Sequence, residues 1–253
     1  MKLRTILTII MGLAFSLRFS LAQESNVPQM LLIHEDRVIP SQSQKYIEAS
    51  KNLKQALADN NVTGFNYSSF WLYDGSFIHV SRIDNFAALD TSPWKELSDK
   101  LGEEKTQTLF AQYDGTYSSH RDYIAYFHPS LSHKPEQIQE TGNNFKEWMY
   151  LYYNEEDQEA FFEVMKEWKA LYEAKGIEDG YTIYTNGLGH YGPVVVIHSW
   201  AKSEVEMAKK NEDHMAVLGE DRMELMKKIM PLIQKQKSIR GYFMEDISYM
   251  PQQ

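Results

Sequence analysis

"VVVIHSWAKSEVEMA", Val194 to Ala208, decides how this chain is read. A run of β-branched residues carries His198 and Trp200 at its end, then gives way to a polar segment that reads as a helix start. Alternation puts Val194, Val196, His198 and Trp200 on one face of the strand and Val195, Ile197 and Ser199 on the other. A similar run, "FIHV", lies earlier at Phe77 to Val80, 119 positions upstream, so that His79 falls on His198. At the same offset Ser119, Arg121 and Tyr123 meet Ser238, Arg240 and Tyr242. The identities are few, and the matching order of elements carries more weight than any of them.

That order is β-α-β-β-α-β, twice. In the first half "LLIHEDRVI" reads as a strand, and Tyr46, Ser50, Leu53 and Leu57 recur at helical spacing. "TGFNYSSFWLY" and "FIHVSRI" flank Asp74-Gly75, a strong hairpin signal. Asp84-Asn85 then caps a helical region, interrupted near "TSPW", before "RDYIAYFH" returns as a strand. In the second half strand "EWMYLYY" precedes a helix with Phe161, Met165, Trp168 and Tyr172 on one face. The hairpin "YTIYTNGLGHYGPVVVIHSW", a long helical stretch and the strand "RGYFMEDISYM" follow. We therefore expect an α+β chain: a first ferredoxin-like half over 28–132, a polar linker over 133–144 and a second half over 145–253. Each four-stranded sheet would keep one apolar face to cover, and two linked copies can cover each other sheet to sheet.

On these residues the chain resembles the dimeric α/β-barrel superfamily, here as a tandem fusion spanning nearly everything after the N-terminal segment. The strand-to-helix passage with Trp200 closing its strand is common there. The resemblance implies quinol-type cofactor-free monooxygenases, haem-dependent oxygenases and peroxidases, or members without activity, and fold does not choose among them. It carries over no catalytic residue. Because haem-binding relatives use a helical His, His214 is the residue to test as an axial ligand.

The first 22 residues read as a secretory signal: Lys2 and Arg4, an apolar stretch from Ile6 to Leu17, and "SLA" before Gln23. The expected localisation is periplasmic or extracellular. Removing the segment takes away three basic residues and no acid, leaving 23 basic against 35 acidic residues, a net charge of −12. Such a charge argues against nucleic acid as a partner. No later run is apolar enough to span a bilayer. With no cysteine, disulfides, thiolate metal sites and a Cys nucleophile are excluded.

Phe77, His79 and Ser81 share one face of their strand, as do Tyr67 and Trp71 of theirs. If those faces line the space between the sheets, His79 and His198 point into one interior, as bases or hydrogen-bonding groups. The plainer reading is two partly buried histidines satisfied by neighbours. Tyr67, Trp71, His79, His198 and Trp200 are the expected contacts of a small apolar or aromatic molecule. No metal set is expected, since His120, His128 and His133 fit no ligand spacing, and no resident cofactor is expected apart from the haem alternative. The leading expectation is an exported small-molecule binder. Its rivals are an oxygenase and a non-catalytic assembly module, and oligomerisation is left open.

Overall fold

The computed structural model describes residues 26–135 and 142–251. The expected signal segment and part of the expected linker, 136–141, lie outside the described residues.

Strand β1 (Gln29–Val38) leads through a Pro40-initiated turn into helix α1 (Ser43–Asp59). This helix buries Tyr46, Ala49, Ser50, Leu53 and Leu57, the three-to-four spacing that gives a helix one apolar stripe. The hairpin of β2 (Ser68–Leu72) and β3 (Ser76–Arg82) turns at Asp74-Gly75, where Gly75 has φ 87°. Asn85 caps a short 3-10 turn by accepting from the Ala87 amide at 2.9 Å. Two short helices, α2 (Lys95–Leu101) and α3 (Glu103–Ala111), precede β4 (Tyr117–Phe127).

The second run repeats the order: β5 (Phe145–Tyr152), α4 (Gln158–Ala174), β6 (Thr182–Asn186), β7 (Val194–Ala201), α5 (Glu204–Ile229) and β8 (Lys235–Phe243). Ser203 caps α5, its hydroxyl accepting from the Glu206 amide at 3.2 Å, while Glu206 accepts from the Lys202 amide at 3.0 Å. Gly219 leaves the helical region (φ 53°, ψ −134°) and kinks α5. The closing strand starts five residues earlier than its sequence suggests. Lys235 to Ile239 pair with Tyr152 to Trp148, and 245–247 form a 3-10 turn. Among the described residues no helix is long and apolar enough to cross a membrane.

All eight strands form one closed antiparallel barrel in the order β1-β3-β2-β8-β5-β7-β6-β4. The strands of the first run, β1 to β4, join those of the second, β5 to β8, edge to edge. The seams are short: Phe70, Trp71 and Leu72 against Phe243, Tyr242 and Gly241, and Ala125, Tyr126 and Phe127 against Asn186, Thr185 and Tyr184. Alternate residues then serve two cores. Ile33, Leu72, Ile78, Trp148, Val194 and Val196 point into the barrel. Leu151, Ile183 and Val195 pack outward against Phe161, Val164 and Met165 of α4. Leu53 and Leu57 of α1 close over Tyr67 on the other side.

Candidate functional site

The barrel interior holds a cavity of about 740 Å³ that opens to solvent. Its wall is apolar for most of its length, with Ile33, Phe70, Ile78, Val80, Trp148, Val194 and Val196 among its lining residues. His198 and Trp200 line it too, at the end of the barrel where β7 finishes. At the other end Tyr123 and Tyr150 line it, their hydroxyl pKa values pushed up by burial. Arg121 lies 4.9 Å over the Tyr123 ring and donates to Glu35 at 2.6 Å, which fixes this end with a paired charge.

His198 is the polar centre of the wall. Its ring lies against Trp148, centroids 5.2 Å apart and planes 23° apart, with Trp200 at 5.4 Å. Its Nδ1 is 3.0 Å from Thr182 Oγ1, and that hydroxyl donates its one proton to Tyr184 Oη at 3.2 Å. Nδ1 is thereby engaged, and Nε2 is the ring's remaining nitrogen. That Nε2 is buried with no hydrogen-bond partner. Burial pushes the His198 pKa well below the ordinary histidine value, and the charges of Lys146 and Lys134 push the same way. The ring is neutral at pH 7.

Three of the expected site residues face the other way. Ile33 pairs with Val80 in one sheet and Trp148 with His198 in the other, so Val80 takes the place of His198 in the strand order. His79 sits one residue off that register and points out of the barrel, because a one-residue slip turns every side chain over. Its Nε2 is 2.8 Å from Tyr46 Oη and its Nδ1 2.8 Å from Ser69 Oγ. Burial lowers its pKa to about 4, outweighing the pull of Asp36. With both nitrogens engaged, His79 is a structural histidine of the helix-sheet core. Tyr67 packs outward with Leu53, Leu57 and Tyr249, and Trp71 with Val38, Tyr46 and Phe77. The interior positions of β2 are Ser68 and Phe70 instead. The repeated Arg residues divide in the same way. Arg121 shares a face with the interior Tyr123, whereas Arg240 pairs outside with Glu147 and Glu204.

A second cavity, about 340 Å³, lies between the outer face of β5 and β7 and helices α4 and α5, with Met149, Met165, Met207 and Met226 in its wall. His214 borders it, but its Nε2 is 2.9 Å from Asp179 Oδ2, and Lys210 holds the other carboxylate oxygen at 2.8 Å. The His214 bond, followed by that of Lys210, lowers the Asp179 pKa to about 2 despite its burial. This arrangement does not fit an axial haem ligand: iron at Nε2 would displace a carboxylate already paired to it. His128 bonds Thr185 and His133 bonds the Ile177 carbonyl. No cluster of three or more metal-ligating side chains occurs among the described residues.

His34, on the outer face of β1, makes the surface end of the His79 network. Burial opposes its protonation, but Asp36 and Asp122 outweigh it and raise its pKa to about 9. The folded value exceeds the ordinary 6.5, so the contribution to stability is complete below pH 6.5 and is lost as pH rises toward 9. His79 acts in the opposite range, its contribution lost as pH falls from 6.5 through about 4. Thermal melts at pH 6.5 and 9 are expected to show a smaller alkaline loss in His34→Gln than in the parent. An equal loss in both would contradict the pairing.

No protein-family model matches the chain, and no curated protein matches its sequence. Solved structures do match its fold. A candidate monooxygenase of Lactobacillus acidophilus NCFM superposes with a TM-score of 0.54 at 10% identity, covering 89% of this chain and 97% of that one. A candidate monooxygenase of Fusobacterium nucleatum gives 0.53 at 13% identity, covering 87% and 94%. An anthrone oxidase-like protein gives 0.55 at 11% identity, covering 86% and 92%. The fold is that of the dimeric α/β barrels.

Proposed function

We propose that this is an exported protein, built from two ferredoxin-like halves, whose barrel interior binds a small, largely apolar or aromatic molecule. The observation that carries the reading is the cavity of about 740 Å³, within the usual range for small-molecule sites, walled by aromatic and aliphatic side chains with the His198 imidazole among them. A filled interior would have suited an assembly module. Export rests on the signal-like 22-residue start, and a cysteine-free chain of this size needs no disulfide staples outside the cell.

Oxygenase chemistry is the second reading, favoured by the neutral His198 imidazole in the cavity wall and by the monooxygenase and anthrone oxidase-like descriptions of the similar structures. His198 would take a phenolic proton at Nε2 while Thr182 holds the ring at Nδ1, and Lys134 and Lys146 would stabilise the phenolate. Yet phenols ionise near pH 10, and a histidine pushed well below 6.5 is a poor match for that proton. As a hydrogen-bonding group the same imidazole needs no such match, so binding ranks first. Oxygen uptake on adding a hydroquinone, lost in His198→Phe, would reverse that order.

The binding claim is tested by titrating the chain with N-phenyl-1-naphthylamine, a neutral probe that fluoresces in apolar surroundings. Saturable binding of one probe per chain is expected. Val196→Trp, which fills the cavity, is expected to abolish it without unfolding the protein. Unchanged binding in that variant, or none in the parent, would sink the proposal.

A further inference from the structure

The second cavity, of about 340 Å³, lies on the far side of β5 and β7 from the barrel interior and has a chemistry of its own. Met215 and Met230 stand with Met149, Met165, Met207 and Met226 in its wall, six of the chain's 12 methionines. Thioether side chains are unbranched and flexible, and a wall made of them adapts to the shape of an apolar guest. Along α5, Met207, Lys210, His214, Leu218, Arg222 and Met226 follow one another at three or four residues, so one face of the helix looks on the cavity. That face carries three basic side chains among the apolar ones.

The three are not equivalent. Asp179 holds Lys210 at 2.8 Å and His214 at 2.9 Å. The other acid of the wall, Glu147, accepts from Arg240 Nε at 2.8 Å. Arg222 makes no ion pair among the described residues: its sequence neighbours Asp221 and Glu224 are held by Lys175 and Lys227, each at 2.6 Å. It is half-buried, and its Nη1 lies 3.9 Å from the sulfur of the exposed Met223, which places the guanidinium at the rim. Burial raises the pKa of the Tyr172 hydroxyl and Asp179 adds to the rise, while Arg222 works against both, so its charge reaches that side of the cavity. A guanidinium is charged at every working pH and offers only donors, in a fork that matches a carboxylate.

We infer that this cavity is a second ligand site, for an amphipathic anion: an unbranched alkyl chain lies among the methionines and a carboxylate head sits on Arg222. The site stands or falls apart from the barrel. A cationic head would meet Arg222 at the rim, and a neutral head would forgo the charge that sets this rim apart. The chain carries a net charge of −9, so anions are not drawn to it at large and their binding reports a local site.

Isothermal titration calorimetry with decanoate, octanoate and decanol tests the assignment, on the parent chain and on Arg222→Gln and Val196→Trp. One decanoate per chain is expected. Octanoate, two methylenes shorter, should bind roughly ten- to twentyfold more weakly. Arg222→Gln should weaken decanoate roughly tenfold and leave decanol within about twofold. Val196→Trp, which fills the barrel, should leave decanoate binding unchanged. Loss of decanoate binding in that variant would move the site into the barrel and overturn the inference while leaving the barrel reading standing. The same change for decanoate and decanol in Arg222→Gln would overturn the head-group assignment. No saturable decanoate binding in the parent would overturn the site altogether.

Discussion

Replacing Gly241 with alanine is expected to cost about 3 kcal/mol or more, the range of substitutions that force backbone apart. Gly241 lies on β8 opposite Leu72, in one of the two three-pair seams that close the barrel. A Cβ there would stand 2.1 Å from the Trp71 carbonyl oxygen and 3.0 Å from the Leu72 Cα. Both are backbone atoms, so no side-chain rotation relieves the clash, and β2 and β8 must separate. The cause is space alone. Urea denaturation gives the effect as a lowered midpoint, and Gly75→Ala is the control, since nothing lies within 4 Å of a Cβ there and only its φ of 87° is strained. A loss at Gly241 no larger than at Gly75 would show that the seam has slack.

Tyr46→Phe is expected to cost roughly 2–3 kcal/mol, the penalty for stranding buried groups that include a charged partner. Tyr46 is fully buried, and its hydroxyl donates to Asp36 Oδ2 at 2.6 Å while lying 2.8 Å from His79 Nε2. The substitution keeps the ring packed on Phe77, 4.8 Å away, and removes only the oxygen that both groups share. Asp36 retains His34, whose Nε2 lies 3.2 Å from Oδ1, while His79 retains Ser69 alone. Tyr191→Phe, at an 82% exposed tyrosine, should leave the melting temperature unchanged. If the two variants melt alike, the Asp36–Tyr46–His79 chain contributes nothing to stability.

The order of the elements could be read from the chain because each carries its own period. The stripe of α1 repeats every three to four residues, and β7 alternates every second one. Which face of a strand looks inward is harder. Val194, Val196, His198 and Trp200 share one face, as their alternation requires, but matching His79 to His198 at an offset of 119 selects the outer face of β3. The strand register instead sets Val80 against Ile33 where His198 sets against Trp148, an offset of 118. One residue of drift in a turn moved His79, Tyr67 and Trp71 from the cavity to the helix layer. Nothing in local composition records such a slip, since both faces of these strands are apolar and aromatic. The early start of β8 was hidden for a different reason: Lys235 to Ser238 are polar and exposed, and only pairing with β5 makes them a strand.

The most direct measurement of the central claim is native mass spectrometry of the chain from Gln23 to Gln253, with and without N-phenyl-1-naphthylamine. One added probe mass per parent chain, and none on Val196→Trp, is the predicted result. A bare parent chain at saturating probe, or the same adduct on both proteins, would contradict a ligand site inside the barrel.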